Sequence, residues 1–437
     1  MKLETVKSII LTILVLSSIY LFWNLVTYQQ NYDSIDRREY VKEINIDQKK
    51  SMKELIIPNK LIFRKNETEY TGTEKNAQIG QLYRQLEGWD YYNFQKNSEE
   101  FFNRYEQPPY EDVIIFQFSD DIPFDLINSL FNIDAKTVPF GNFRYIFIFP
   151  EQLNDEEGTV FFLSSDMKSA VKAGVRYNQL QEFLTLYNEI VGESVPYYAY
   201  KKDDESYLFV LNREIEVNNS KFIPRFFDTI LFKDALFPDP DFVTKTGNRY
   251  TDGSSLLDIF PDTKTLSFVN LTVQLNRMIS SDDLMKKAVD YVNGHSGWTD
   301  QYLFNRYEQK ENKIIFQMYL QDYPVFSHSG ASEISLIIGN QGVYSYERPY
   351  FKFNISFNPT YQRYQLLSGK NVLKRLEEND SVDLNGIEDI LIGYQLTFDM
   401  KEPLIILEPS WFYRTDEEWK KVGGSSLIMG GVNDGLE

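Results

Sequence analysis

Ser281-Asp282-Asp283-Leu284-Met285-Lys286-Lys287-Ala288-Val289-Asp290-Tyr291-Val292-Asn293-Gly294 reads as a helix, and Tyr302–Tyr307 and Lys313–Leu320 behind it read as strands. Ser281 precedes two acids, so its hydroxyl can cap the first turn while Asp282 and Asp283 favour the positive end of the helix dipole. Gly294 ends the helix. Further strands are expected at Glu333–Ile338, Val343–Arg348 and Phe351–Phe357, then a short helix Val372–Leu376 and two last strands, Ile390–Phe398 and Pro403–Tyr413. A helix set before a run of antiparallel strands is an α+β unit.

The same order is legible upstream. Leu180, Phe183, Leu184 and Tyr187 share one helical face, ahead of strands at Pro196–Tyr200, Tyr207–Leu211 and Glu214–Val217. Phe222–Phe232 reads as helical, and Phe237-Pro238-Asp239-Pro240 stops it. Nearer the N-terminus, Ala77–Leu86 has helical spacing, Val113–Phe118 and Phe143–Phe149 read as buried strands with a short helix near Phe124–Leu130 between them, and Phe161–Leu163 ends the sheet. Residues Asn31 to Asn76, polar apart from Leu55–Phe63, read as a stalk. Phe102-Asn103-Arg104-Tyr105-Glu106-Gln107 ahead of Ile114-Ile115-Phe116-Gln117 is echoed by Phe304-Asn305-Arg306-Tyr307-Glu308-Gln309 ahead of Ile314-Ile315-Phe316-Gln317. Either a helix-then-hairpin module is repeated, or one aromatic strand pattern arose twice. The expected division is 1–30, 31–165, 166–280 and 281–437.

The first of these segments carries an apolar run, Ile9–Val26, without a charged residue. At 1.5 Å per residue it spans roughly 27 Å, close to the thickness of a bilayer core. Lys2 and Lys7 precede it, and the charges after it show no cationic excess, so the positive-inside rule leaves the N-terminus cytoplasmic and the bulk of the chain extracytoplasmic. Tyr20, Phe22, Trp23, Asn24 and Tyr28 at its end suit an uncleaved single-pass anchor better than a cleaved signal peptide. The expected fold is thus a transmembrane helix followed by three extracytoplasmic helix-plus-antiparallel-sheet domains.

A formal net charge of −19 argues against nucleic acid and against an anionic membrane surface as partners. Without cysteine the chain has no disulfide, thiolate site or Cys nucleophile, and its stability rests on a core drawn from 42% hydrophobic and 16% aromatic residues. Two histidines make a zinc site improbable. Asp239-Pro240-Asp241 and Asp282-Asp283 lack the alternating ligands and Gly of a calcium loop. Ser165-Asp166-Met167-Lys168 and Lys245-Thr246-Gly247 match two elements of penicillin-binding enzymes, but no S-x-N triplet lies between them. Gly294-His295-Ser296-Gly297 continues into Trp298, where a nucleophile elbow needs Gly, so the segment reads as a helix exit whose Trp298 packs into the next core. No catalytic centre, cofactor site or metal site is expected.

The anchor Ile9-Ile10-Leu11-Thr12-Ile13-Leu14-Val15 with Trp23-Asn24 and Tyr28 resembles the start of the YycH family. So do Phe232-Lys233-Asp234-Ala235-Leu236-Phe237, Tyr250-Thr251-Asp252-Gly253, Gly294-His295-Ser296-Gly297-Trp298-Thr299, Tyr323-Pro324-Val325-Phe326, Ile392-Gly393-Tyr394 and Leu407-Glu408-Pro409-Ser410-Trp411-Phe412-Tyr413, in that family's order. The resemblance implies a non-catalytic regulator of the WalK/WalR (YycG/YycF) two-component system that controls cell-wall homeostasis. It also implies one membrane helix, a YycI-like neighbour, the sensor kinase WalK as partner, and a three-domain α+β ectodomain.

Two contact regions follow. Thr12, Ser17, Ser18 and Asn24 are the groups of the anchor able to hydrogen-bond a partner helix in lipid. Trp411 and Tyr413 are the ectodomain candidates, since aromatics dominate interface hot spots. The competing expectation is an extracytoplasmic module that senses a cell-wall fragment, which would need a pocket lined by aromatic and polar groups.

Overall fold

Residues 60–211 supply one mixed sheet. Its strands are β1 (Lys60–Arg64), β2 (Tyr70–Thr73), β3 (Asp90–Lys96), β4 (Val113–Pro123), β5 (Asn132–Ile133), β6 (Asn142–Ile148), β7 (Glu157–Leu163), β8 (Ala170–Arg176), β9 (Val195–Lys201) and β10 (Tyr207–Leu211). They lie in the order β10-β9-β2-β1-β4-β6-β7-β8-β3-β5, antiparallel except for the β3–β5 pair. The computed structural model describes residues 48–106, 111–275, 278–295, 297–357, 363–399, 401–416 and 418–423. The expected anchor lies outside these residues, and no helix among them is long and apolar enough to cross a membrane.

The second large sheet is built after residue 219. A small strand β11 (Ile215–Asn218) precedes β12 (Ser220–Phe226), β13 (Thr244–Thr246), β14 (Arg249–Thr251), β15 (Ser255–Phe260) and β16 (Thr265–Asn270). Then come β17 (Gln301–Glu308), β18 (Lys313–Leu320), β19 (Tyr323–Phe326), β20 (Glu333–Gly339), β21 (Gly342–Pro349) and β22 (Phe351–Ser356). The last are β23 (Arg363–Leu366), which pairs with β11, β24 (Asp389–Phe398), β25 (Ile405–Thr415) and β26 (Glu418–Lys421). The path is β13-β14-β15-β16-β21-β20-β18-β19-β24-β25-β12-β22, with β17 added to β18 and β26 to β25. β19 and β24 run parallel. The architecture is α+β with large mixed sheets, and one continuous core runs through both.

Several local readings change. Leu55–Phe63, expected as the apolar part of a stalk entering the first domain, runs from the end of a short helix, Met52–Leu55, into β1, whose five residues are all buried between β2 and β4. Phe222–Phe232 is not a helix: it divides into β12 and a helix, Thr229–Leu236, whose first turn Asp228 caps by accepting from the Ile230 amide. Pro224 is the physical reason, because it lacks the amide a helix interior needs, and it sits at a register shift against β22. Ser280, not Ser281, caps the helix Ser281–Gly294, its Oγ accepting from the Asp283 amide at 3.3 Å, while Ser281 is buried as the first helical residue.

The echo resolves against a repeated module. Phe102 to Tyr105 is helical, in Ser98–Tyr105, because Asn97 caps it and Phe101 and Tyr105 stack one turn apart at 5.4 Å between ring centroids. Phe304 to Glu308 is strand, in β17, held by β18 across a bulge. Only the Ile-Ile-Phe-Gln parts match, both being strands. The strand pairs also ignore residue 165: β7 and β8 flank it as neighbours, so the boundary expected there falls in a turn of one sheet.

Candidate functional site

Thr12, Ser17, Ser18 and Asn24 lie outside the described residues. Trp411 is fully buried, and its indole N–H donates to the Leu367 carbonyl at 3.0 Å. Tyr413, two residues on and so on the same strand face, is half-buried against the core. The other face of β25 is covered as well, since Phe412 packs on Phe326 at 4.4 Å beneath Trp419. Trp411 and Phe412 are therefore core on the two faces of the strand, and Tyr413 keeps part of its surface open.

The motifs with enzyme likeness do not assemble. Ser165 lies in the β7–β8 turn, its Oγ donating to Asp121 at 3.3 Å, while Lys245 lies in β13 at the edge of the other sheet. Trp298 packs edge-on against Phe316 at 4.9 Å, as the helix-exit reading expects. His295 stacks on Tyr291 at 3.9 Å, and burial lowers its pKa. His328 is exposed. Among the described residues no three His, Asp or Glu side chains cluster in a way that could hold a metal ion.

Two other constellations bind distant parts of the chain, and neither was visible in the sequence. The first is where the described chain begins, at residues 48–50. The Lys50 amide donates to the Asn293 Oδ1 at 2.9 Å, and the Asn293 Nδ2 donates back to the Lys50 carbonyl at 2.8 Å. A side-chain amide thus mimics a strand partner at the end of the helix Ser281–Gly294. Gln48 bridges to Trp298, whose indole N–H also donates to Asn293, at 2.8 Å. The segment arriving from the N-terminus is clamped to the second sheet's helix before it enters the first sheet.

The second is a seam of buried charge between the sheets. Lys60 of β1 and Asp389 of β24 are both fully buried, 2.5 Å apart, and the remaining Lys60 donors reach the Phe209 carbonyl at 3.0 Å and the Ile390 carbonyl at 2.8 Å. An unpaired charge here would be costly, and the pair ties β1 to β24 across the two sheets. Asp389 also accepts from Asn59 at 3.2 Å, and Arg144 stands 4.0 Å away. Burial alone would raise the Asp389 pKa, but Lys60 and Arg144 outweigh it and hold the carboxyl below its usual range. Further along, Arg414 of β25 donates to Asp120 of β4 at 3.1 Å. Glu388 lies 2.7 Å from the Arg414 Nε but off its N–H direction, an ion pair without a formed hydrogen bond. Ser119 donates to the Phe304 carbonyl at 2.9 Å, and Asp120 accepts from the Tyr307 amide at 3.2 Å, tying β4 to β17.

Two charge-locked sheets, with the incoming chain clamped to the far one, define an α+β scaffold that carries contacts between its ends. The comparisons with known proteins agree with that class. Residues 4–190 match the family model described as YycH protein, N-terminal domain, and residues 205–428 match YycH protein, C-terminal domain. The chain belongs to the YycH family. It is 23% identical, over 464 residues and the whole of both chains, to the two-component system WalR/WalK regulatory protein YycH of Bacillus subtilis (strain 168). The crystal structure of YycH from Bacillus subtilis shares the fold, with a TM-score of 0.75 and 21% identity over 87% of this chain and 99% of that one.

Proposed function

We propose that this protein is a membrane-anchored, extracytoplasmic, non-catalytic regulator of the sensor kinase of a WalR/WalK two-component system. The correspondence with the Bacillus subtilis regulatory protein, which runs over the whole of both chains, carries the reading. In this reading residues 9–26 cross the membrane with the N-terminus in the cytoplasm. Thr12, Ser17, Ser18 and Asn24 face the kinase helices, and a YycI-like protein stands beside the ectodomain. The clamp at Lys50, Asn293 and Trp298 supplies the mechanical link. A rearrangement of the second sheet's helix is passed directly to the segment that leads to the anchor.

Co-purification from membranes tests this. The native full-length protein is expected to retain a histidine kinase, and a version with Ile9–Val26 replaced by an unrelated anchor is expected to lose it. Retention by both moves recognition to the ectodomain, and retention by neither refutes the kinase reading.

One observation favours a ligand-sensing alternative. A cleft of about 510 Å³ is lined by Asn218, Ser220, Phe222, Gln321, Tyr323 and Tyr394, among others. Aromatic and amide groups around a polar cleft of that size suit a wall saccharide. Binding of muropeptides to the purified protein, lost in Tyr323→Ala, would support it.

A further inference from the structure

Glu74 follows β2 directly and lies where the first sheet meets the β18–β19 turn of the second. Its neighbours fix that junction: the Asn76 amide donates to Asp322 at 2.9 Å, and the Asn76 side chain donates to the Gln321 carbonyl at 3.0 Å. Glu74 itself is badly provided for. Its Oε1 is buried without a hydrogen-bond partner. The nearby cation, Lys60, has spent its three donors on Asp389, Phe209 and Ile390. The Tyr197 hydroxyl faces the carboxyl, yet it too is buried without a well-formed hydrogen bond. Two further carboxylates, Asp389 and Asp322, repel a charge on Glu74. Tyr319 and Tyr323 complete the ionisable surroundings.

A carboxylate in this place keeps one oxygen buried without a partner, beside two further anions and with the Tyr197 hydroxyl as the donor that faces it. Protonation removes that charge from the junction, at the cost of weakening the bond the carboxyl can accept from the Tyr197 hydroxyl. We infer that Glu74 is a proton-operated latch between the two sheets: neutral, it lets Thr73–Asn76 seat against the Gln321–Asp322 turn, and ionised, it loosens that seat. Protonation in the wall space would then set how firmly the two halves of the protein are joined. The inference rests on the junction alone and stands whether or not a kinase is the partner.

The electrostatics agree in sign. Burial is the largest influence and pushes the Glu74 carboxyl up to about 7, with Asp389 and Asp322 adding to the rise and Lys60 and Tyr197 opposing it. A folded-state value above the unfolded value of 4.5 means the native state holds the proton longer. The latch's contribution is therefore full below pH 4.5 and is lost as pH rises through about 7. Tyr197, Tyr319 and Tyr323 are pushed upward by burial, and Asp389 is held low, so none of these titrates in that window.

Hydrogen exchange on the full-length protein in detergent micelles tests this, corrected for the intrinsic pH dependence of exchange. Peptides covering residues 70–76 and 319–323 are expected to lose roughly thirtyfold in protection between pH 5.5 and 8.0, the ratio for an acid moved from 4.5 to about 7. In Glu74→Gln, which is neutral throughout, that loss should largely vanish. Tyr197→Phe removes the one hydroxyl that lowers the carboxyl's pKa, so the midpoint should move to higher pH. Glu87, Asp121 and Glu333 also have raised pKa values. They lie outside these peptides, which makes the readout local. Protection in the native peptides that does not change with pH overturns the inference, even if neither variant folds. So does a loss that persists in Glu74→Gln.

Discussion

Replacing Lys60 by Met removes the cationic half of the seam and leaves its shape nearly filled. Three hydrogen bonds disappear with the ammonium, to Asp389, Phe209 and Ile390. Asp389 then keeps the Asn59 amide at 3.2 Å, its own neighbour's amide from Ile390 at 2.8 Å, and Arg144 at 4.0 Å. Removing one partner of a buried pair costs about 3–5 kcal/mol, and these residual contacts place Lys60→Met near the lower end, at about 3 kcal/mol. The double change Lys60→Met with Asp389→Leu leaves no charge unpaired and should recover most of that loss. Urea denaturation at pH 7, followed by tryptophan fluorescence, measures both. A pH series adds a sign. Asp389 is held below its usual range, so its contribution is present above the unfolded carboxylate value and is lost as pH falls through its folded value. Lys60→Met should flatten that acid limb. A single variant within 1 kcal/mol of the native protein, or a double variant as unstable as the two single ones summed, would refute the argument that the seam is an obligatory pair.

Two smaller changes test the corrected local readings. Ser280→Ala should lower stability by about 1 kcal/mol, the usual worth of an N-cap, as read from the denaturation midpoint. Trp411→Phe leaves the Leu367 carbonyl unpaired and a void in the core, so it should destabilise by about 2–3 kcal/mol in the same assay. Because Trp411 is buried, kinase co-purification should not change in that variant.

Strands with continuous apolar runs were legible in the chain. Tyr207–Leu211 and Lys313–Leu320 match the structure residue for residue, and Ile390–Phe398 does so to within one position. Here local pattern and tertiary burial ask for the same thing. The Phe-Asn-Arg-Tyr-Glu segments show where that stops. One set of residues is helix after Asn97 and strand beside β18, so the neighbours outside the motif choose. Leu55–Phe63 was hidden by its polar surroundings, and Lys60 within it looks like a solvated lysine until Asp389 is placed beside it. Asn293 and Glu74 carry no pattern at all. Their significance arises from contacts 243 residues away in the one case and across two sheets in the other. Periodicity reports which face is buried, and says nothing of which polar group will stand opposite.

Lys60 and Asp389 are separated by 329 residues. A ribosome makes the first sheet long before it makes the partner that allows that sheet to keep a cation in its interior. Until β24 arrives, Lys60 lacks the Asp389 carboxylate and the Ile390 carbonyl, and water takes their place. The seam therefore ties the covering of the first sheet's interior to the last tenth or so of the chain. A chain that stops short of residue 389 would leave Lys60 solvated and that side of the first sheet without its cover.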